Sequence, residues 1–219
     1  MQQASKVYVE PWEVRSRLGA LGIPPEALRE SVKQGFGAWA GCTADHPKSF
    51  PGILLWGETL GDLRRRLRRL GWAVADPSNQ PLAFDPSEKF ALTVATGTKE
   101  TGIAGETPTT SSPKGPHTVQ VVEQNRQGRF PFWNEIVKSV PTLEGRETWF
   151  LLVYCDTRNS VVRSELSLPL DMDEKGFVSE WQERIILDSF EFDGTSNEDR
   201  TPQDQSPEID IEVRRRANP

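Results

Sequence analysis

The stretch that most constrains the fold of this chain is Glu147 to Leu170, ETWFLLVYCDTRNSVVRSELSLPL. Trp149 to Cys155 is an unbroken apolar run rich in aromatic and β-branched side chains. It is long enough for a strand and too short to favour a buried helix. Asp156-Thr157-Arg158-Asn159 follows, and Asp and Asn bond their own backbone in turns. Val161 to Leu168 then alternates, with Val162, Ser164, Leu166 and Leu168 on one face and Val161, Arg163, Glu165 and Ser167 on the other. The pattern predicts a hairpin at the centre of an antiparallel sheet. Its first strand is expected inside the sheet, and its second, ended by Pro169, nearer an edge.

Helices are expected before the hairpin. Val7 to Leu21 reads as a short strand and a short helix. Pro24-Pro25 opens a clearer helix, because proline suits a first turn, with Leu28, Val32, Phe36 and Trp39 on one face. Gly35 and Gly37 inside it each cost about 1 kcal/mol relative to alanine, so close packing against another backbone is the expected reason for them. Gly41 to Gly52 reads as a loop. A third helix is expected over residues 59–70, with Thr59 as N-cap, Asp62 in the first turn and Leu60, Leu63, Leu67 and Leu70 as its apolar stripe. Arg64, Arg65, Arg66, Arg68 and Arg69 occupy most of its remaining face. Trp72-Ala73-Val74 and Lys89 to Thr96 then read as strands joined by the turn-rich DPSNQPLAFDPSE. Helix, helix, hairpin is the order found in a winged-helix domain, with the arginine helix in the recognition position.

Gly97 to His117 is rich in Gly, Thr, Ser and Pro and reads as a flexible surface loop. Its lysines suggest a phosphate loop only superficially. The spacing G-x-x-x-x-G-K-[ST] is absent, and Lys114-Gly115-Pro116 lacks the hydroxyl that should follow. His117 to Gln127 and Phe132 to Val140 read as short helices. After the hairpin, Asp171, Asp173 and Gly176 resemble the start of a calcium loop, but Gln182 stands where a bidentate glutamate is needed, so a surface turn is expected. Arg184 to Phe192 reads as a strand, Asp193 to Pro207 as an acidic polar loop, and Ile209, Ile211 and Val213 as a last short strand.

The expected fold class is therefore α+β. A helical N-terminal part with a small β-hairpin (residues 1–140, including the flexible loop 97–117) precedes a mainly antiparallel sheet in the C-terminal part (residues 141–219). Charge divides the same way. Residues 1–140 hold 17 Lys and Arg against 14 Asp and Glu, whereas residues 141–219 hold 9 against 18. That balance argues against wholesale coating of nucleic acid but leaves room for one basic surface in the N-terminal part.

Catalytic patterns are sparse. His46 and His117 are the two histidines, and neither accompanies a nucleophile motif such as Gly-x-Ser-x-Gly. Cys42-x-x-x-His46 has a spacing seen in parts of zinc sites, but no further ligands stand nearby in sequence. Cys155 reads as a small buried apolar residue, and two cysteines make no disulfide framework. Asp156 and Glu165 flank the hairpin turn as metal nucleases require, yet Glu165-Leu166-Ser167 lacks the lysine two residues after the glutamate. No metal or cofactor is assigned.

The function expected from the residues is a non-catalytic binding or regulatory subunit of an intracellular assembly, acting by contact with another protein subunit. Arg64, Arg65, Arg68 and Arg69 are the expected contact residues, with exposed aromatics such as Trp12, Trp56 and Trp133 in support. The alternative is a nucleic-acid-binding module using the same helix. A metal-dependent nuclease or hydrolase using the hairpin carboxylates ranks third. No run approaches the roughly 20 apolar residues of a membrane helix, and no secretory signal is visible, so a cytoplasmic location without membrane contact is expected.

Overall fold

A computed structural model describes residues 5–87, 89–127 and 146–193. The expected helix at Phe132 to Val140, the last strand at Ile209 to Val213, Trp133 and nearly all of the acidic loop lie outside the described residues.

The chain opens with β1 (Lys6–Tyr8) and three helices, α1 (Pro11–Ala20), α2 (Pro25–Ala40) and α3 (Phe50–Arg68). Short strands β2 (Ala73–Ala75) and β3 (Leu82–Phe84) lead to β4 (Phe90–Thr96), and α4 (Pro116–Gln127) follows. The hairpin is β5 (Glu147–Asp156) and β6 (Val161–Met172), after which come β7 (Val178–Ile186) and β8 (Phe190–Glu191). All eight strands join one sheet in the order β1-β7-β6-β5-β4-β3-β2, with β8 also paired to β6. The β1–β7 and β4–β5 contacts are parallel and the others antiparallel. The fold class is α+β, as the sequence indicates.

Both faces of β5 are covered, as a near-continuous apolar strand requires. Trp149, Leu151, Val153 and Cys155 face a cluster that also takes in Leu28 and Val32 of α2, Leu55 and Leu63 of α3, and Leu92 of β4. Phe150 and Leu152 face the opposite cluster, with Val121 and Val122 of α4, Ala91 and Ala95 of β4, and Trp181 of β7. The N-terminal helices and the hairpin therefore share a core.

The N-terminal helices explain one of the two glycines. A Cβ on Gly35 would lie 1.9 Å from the Thr59 hydroxyl oxygen and 2.6 Å from the Leu55 carbonyl oxygen, so α2 and α3 touch there backbone to backbone. Gly37 has open space around it. Thr59 is not an N-cap. The helix starts nine residues earlier at Phe50, with Pro51 in its first turn, and Thr59 and Asp62 are buried on the side facing α2. Gly57 and Gly61 mask the continuous helical pattern of Ile53 to Leu67 in the sequence. Leu70 lies past the end of the helix and is 49% exposed.

Three further expectations change. Strands β2 and β4 do not pair; β3, inside the turn-rich DPSNQPLAFDPSE, lies between them. Strand β4 then pairs with β5 from Phe90 to Thr96, so these strands form no free wing. Strand β6 is interior rather than near an edge, flanked by β5 on one side and by β7 and β8 on the other. It continues through Pro169, where its register with β7 shifts. Such irregularities are where a strand tolerates a residue lacking an N–H.

The last change concerns residues 97–114, irregular as composition suggests but anchored throughout. Gly97 bridges to Thr110, Thr101 and Thr110 are fully buried, and the Trp181 indole donates to the Pro108 carbonyl at 2.7 Å. Beneath this loop lies the polar face of β6. Glu165, fully buried, accepts from Arg184 Nε at 2.9 Å and Nη2 at 2.6 Å, from Ser167 Oγ at 2.7 Å and from the Gly102 amide at 2.8 Å. Arg184 also donates to the carbonyls of Ile103 and Glu106. Every partner of this buried pair is supplied by protein, which is what a charge in a low-dielectric setting needs.

Candidate functional site

The arginines of α3 separate into three kinds once their neighbours are known. Arg64 is held by the sheet: its Nη2 donates to Ala75 O at 2.6 Å, Asp76 Oδ1 at 2.7 Å and Leu82 O at 3.0 Å. It ties α3 to β2 and β3 and is not available to a partner. Arg65 and Arg66 both pair with the buried Asp62 carboxylate, which also accepts from Ser31 Oγ at 3.0 Å. Burial alone would raise the Asp62 carboxyl, but hydrogen bonds from Arg66, Ser31 and Arg65 hold it below the ordinary aspartate value. Arg68 and Arg69 are exposed, and among the described residues neither makes an ion pair. Arg65, Arg68 and Arg69 are thus exposed at the end of α3, whereas Arg64 is turned toward β2 and β3.

Successively earlier residues of α2 meet later residues of α3, Gly35 at Leu55 and Thr59, then Ser31 at Asp62. The start of α2 consequently lies beside the end of α3. A shallow groove of about 350 Å³ opens at the start of α2, lined by Arg15, Gly19, Pro24 and Pro25 among others. Trp12, one turn before Arg15 on α1, is 66% exposed.

The hairpin carboxylates are occupied by protein. Asp156 accepts from the Asn159 amide at 3.2 Å and its side-chain Nδ2 at 2.9 Å, and pairs with Arg163 at 3.0 Å. Burial would raise its carboxyl, and Asn159 and Arg163 more than offset that. Glu165 faces the buried Arg184 under the loop, so the two acids have separate sets of protein partners. Cys42 and His46 do not converge either. Cys42 is buried with its thiol 3.7 Å from Ala38 O, whereas the His46 ring stacks on Phe50 with centroids 5.1 Å apart. Among the described residues, no three His, Cys, Asp or Glu side chains cluster as metal ligands, and no helix is long and apolar enough to cross a membrane.

A second concave place was not anticipated. Strand β3 pairs with β4 only at Ala91 and Leu92, and Ser111 N–H closes the same edge at Thr96 O, leaving β4 open on that side over Thr93 to Ala95. The Trp56 indole closes part of it by donating to Val94 O at 3.0 Å, and Thr93 Oγ1 donates to Pro81 O at 2.9 Å. Between this edge and the start of α4 is a cleft of about 240 Å³ whose lining includes Gln80, Lys114 and Thr118. The sequence offered one sign of it, the lysine and glycine just before a helix; nothing in the sequence marked Gln80.

Comparison with protein-family models, with curated proteins and with solved structures finds no match.

Proposed function

We propose that this protein is a non-catalytic binding module that docks an acidic protein surface at the junction of α2 and α3. The observation that carries this reading is the pairing of exposed Arg65, Arg68 and Arg69 with exposed Leu70 at the end of α3. Arginine beside an apolar anchor is the composition of protein-binding hot spots. A carboxylate-bearing partner satisfies the Arg68 and Arg69 guanidinium groups bidentately, with Arg65 shared with Asp62, while its apolar residues cover Leu70. Two features weigh against nucleic acid. Arg64 is consumed within the fold, and Asp62 already offsets charge on Arg65 and Arg66, leaving few cations for a phosphate track.

The test uses the parent and an Arg65→Gln/Arg68→Gln/Arg69→Gln variant, with Arg64 retained so that the sheet contact survives. Proteins co-purifying with the parent from its native host are identified, and each is remade and titrated against both forms. A complex with an acidic partner that weakens at least tenfold in the variant is expected. Nucleic-acid binding by the parent should be negligible in fluorescence anisotropy. Salt-sensitive nucleic-acid binding whose log–log slope falls by roughly 0.7 to 0.9 per arginine removed would instead establish phosphate contact.

A further inference from the structure

We propose that the cleft between the open edge of β4 and the start of α4 is a binding site for a small aromatic or heteroaromatic ligand bearing one anionic group and one hydrogen-bond donor. The proposal is independent of the docking surface on α3, from which it uses no residue.

Three features define the ligand. Lys114 lines the cleft and is its sole charged lining residue. Its backbone is fixed by the bond from Lys114 N–H to Gly176 O at 2.8 Å, and its ammonium donates to Ser112 Oγ at 3.3 Å. Among the described residues no carboxylate pairs with it, and burial pushes the Lys114 ammonium down to about 8. A cation withdrawn from water without a counter-ion costs stability, and an incoming carboxylate or phosphate removes that cost. Gly115 and Thr118 at the start of α4 also line the cleft, and the first turn of α4 contains no acidic residue, so its positive helix end favours an anion there.

Gln80 defines the second feature. It is nine-tenths buried, lines the cleft, and its amide oxygen has no hydrogen-bond partner among the described residues. A buried unpaired acceptor is uncommon and calls for a donor, which a ligand hydroxyl or N–H supplies. The third is the apolar wall of Trp56, Pro81, Val94 and Phe150, which suits a flat ring. At about 240 Å³ the space falls just below ordinary ligand pockets, which limits the occupant to roughly one ring and its anionic group.

The experiment titrates the full chain with 4-hydroxyphenyl phosphate and, separately, with inorganic phosphate. The Trp56 indole resonance, assigned through Trp56→Phe, reports occupancy. Acylation of Lys114 by an N-hydroxysuccinimide ester, read by peptide mass spectrometry, reports access to the amine. The aromatic phosphate is expected to shift the Trp56 signal saturably, to slow Lys114 acylation at least fivefold and to bind at least tenfold more tightly than inorganic phosphate. Lys114→Met should abolish the shift and Lys114→Arg should retain it. Lys114→Met should also melt at or above the parent temperature at pH 7, the difference shrinking toward pH 10 as the parent amine loses its proton. Unchanged acylation with the aromatic phosphate present, an equal Trp56 shift in Lys114→Met, or a Lys114→Met protein less stable than the parent would each overturn the proposal.

Discussion

Single atoms decide several outcomes. Gly35 and Gly37 look alike in the sequence, yet one lies against Thr59 and Leu55 and the other in open space. Gly35→Ala must push α2 from α3 and is expected to cost about 2 kcal/mol or more, as overpacking does. Gly37→Ala should add up to about 1 kcal/mol of stability through helix propensity. Urea denaturation of the two variants checks this, and equal effects would refute the contact. Arg64→Gln loses three hydrogen bonds between α3 and the β2–β3 strands and should cost about 1–3 kcal/mol, whereas Arg68→Gln should be near neutral. A helical wheel shows that Arg64, Arg65, Arg68 and Arg69 avoid the leucine stripe. It cannot show that a strand edge waits opposite Arg64. That is why the sequence sets these arginines off the apolar face without distinguishing Arg64 from the others.

Among the elements, periodicity explains what could be read. The β5–β6 hairpin was legible because Trp149 to Cys155 and Val161 to Leu168 carry different hydrophobicity patterns, continuous and alternating. Strand β3 escaped because three residues, Leu82, Ala83 and Phe84, are too few to set a period and sit among turn formers. The polar face of β6 suggested solvent, but residues 97–114 cover it, and their composition spoke of irregular backbone rather than of what that backbone bonds. Glu165 and Arg184 are what hold that cover. Arg184→Met leaves Glu165 buried without its cation and should destabilise by about 3–5 kcal/mol, while Glu165→Leu combined with Arg184→Met should recover much of the loss. Hydrogen exchange at the Gly102 amide, bonded to Glu165, reads the loop directly. Unchanged protection of that amide in Arg184→Met would show that the loop is held by other contacts.

Over the whole molecule, acid sensitivity follows from three aspartates. In Asp62, Asp85 and Asp156 burial would raise the carboxyl, and hydrogen bonds with nearby arginines, serines, asparagine or backbone amides hold it below the ordinary range. A carboxyl lowered in the folded state stabilises fully above its unfolded value near 4 and loses that contribution as pH falls further. Stability should therefore be flat from about pH 7 to 5 and drop steeply below about pH 4, and Asp62→Asn should flatten the drop. Thermal melts across that range check it. The parallel contact between β1 and β7 has a consequence of another kind. Lys6 to Tyr8 pair with Glu183 to Ile185, and Tyr8 and Glu183 stand 175 positions apart in the chain. At ribosomal speeds of about 5–20 residues per second, the first strand is made roughly nine to thirty-five seconds before its partner exists. The helical layer is complete by residue 68, but the β5 strand that covers its apolar side is made 79 positions later. During translation the molecule is thus a bare amphipathic layer in need of shelter, and the seam nearest its beginning is among the last to close.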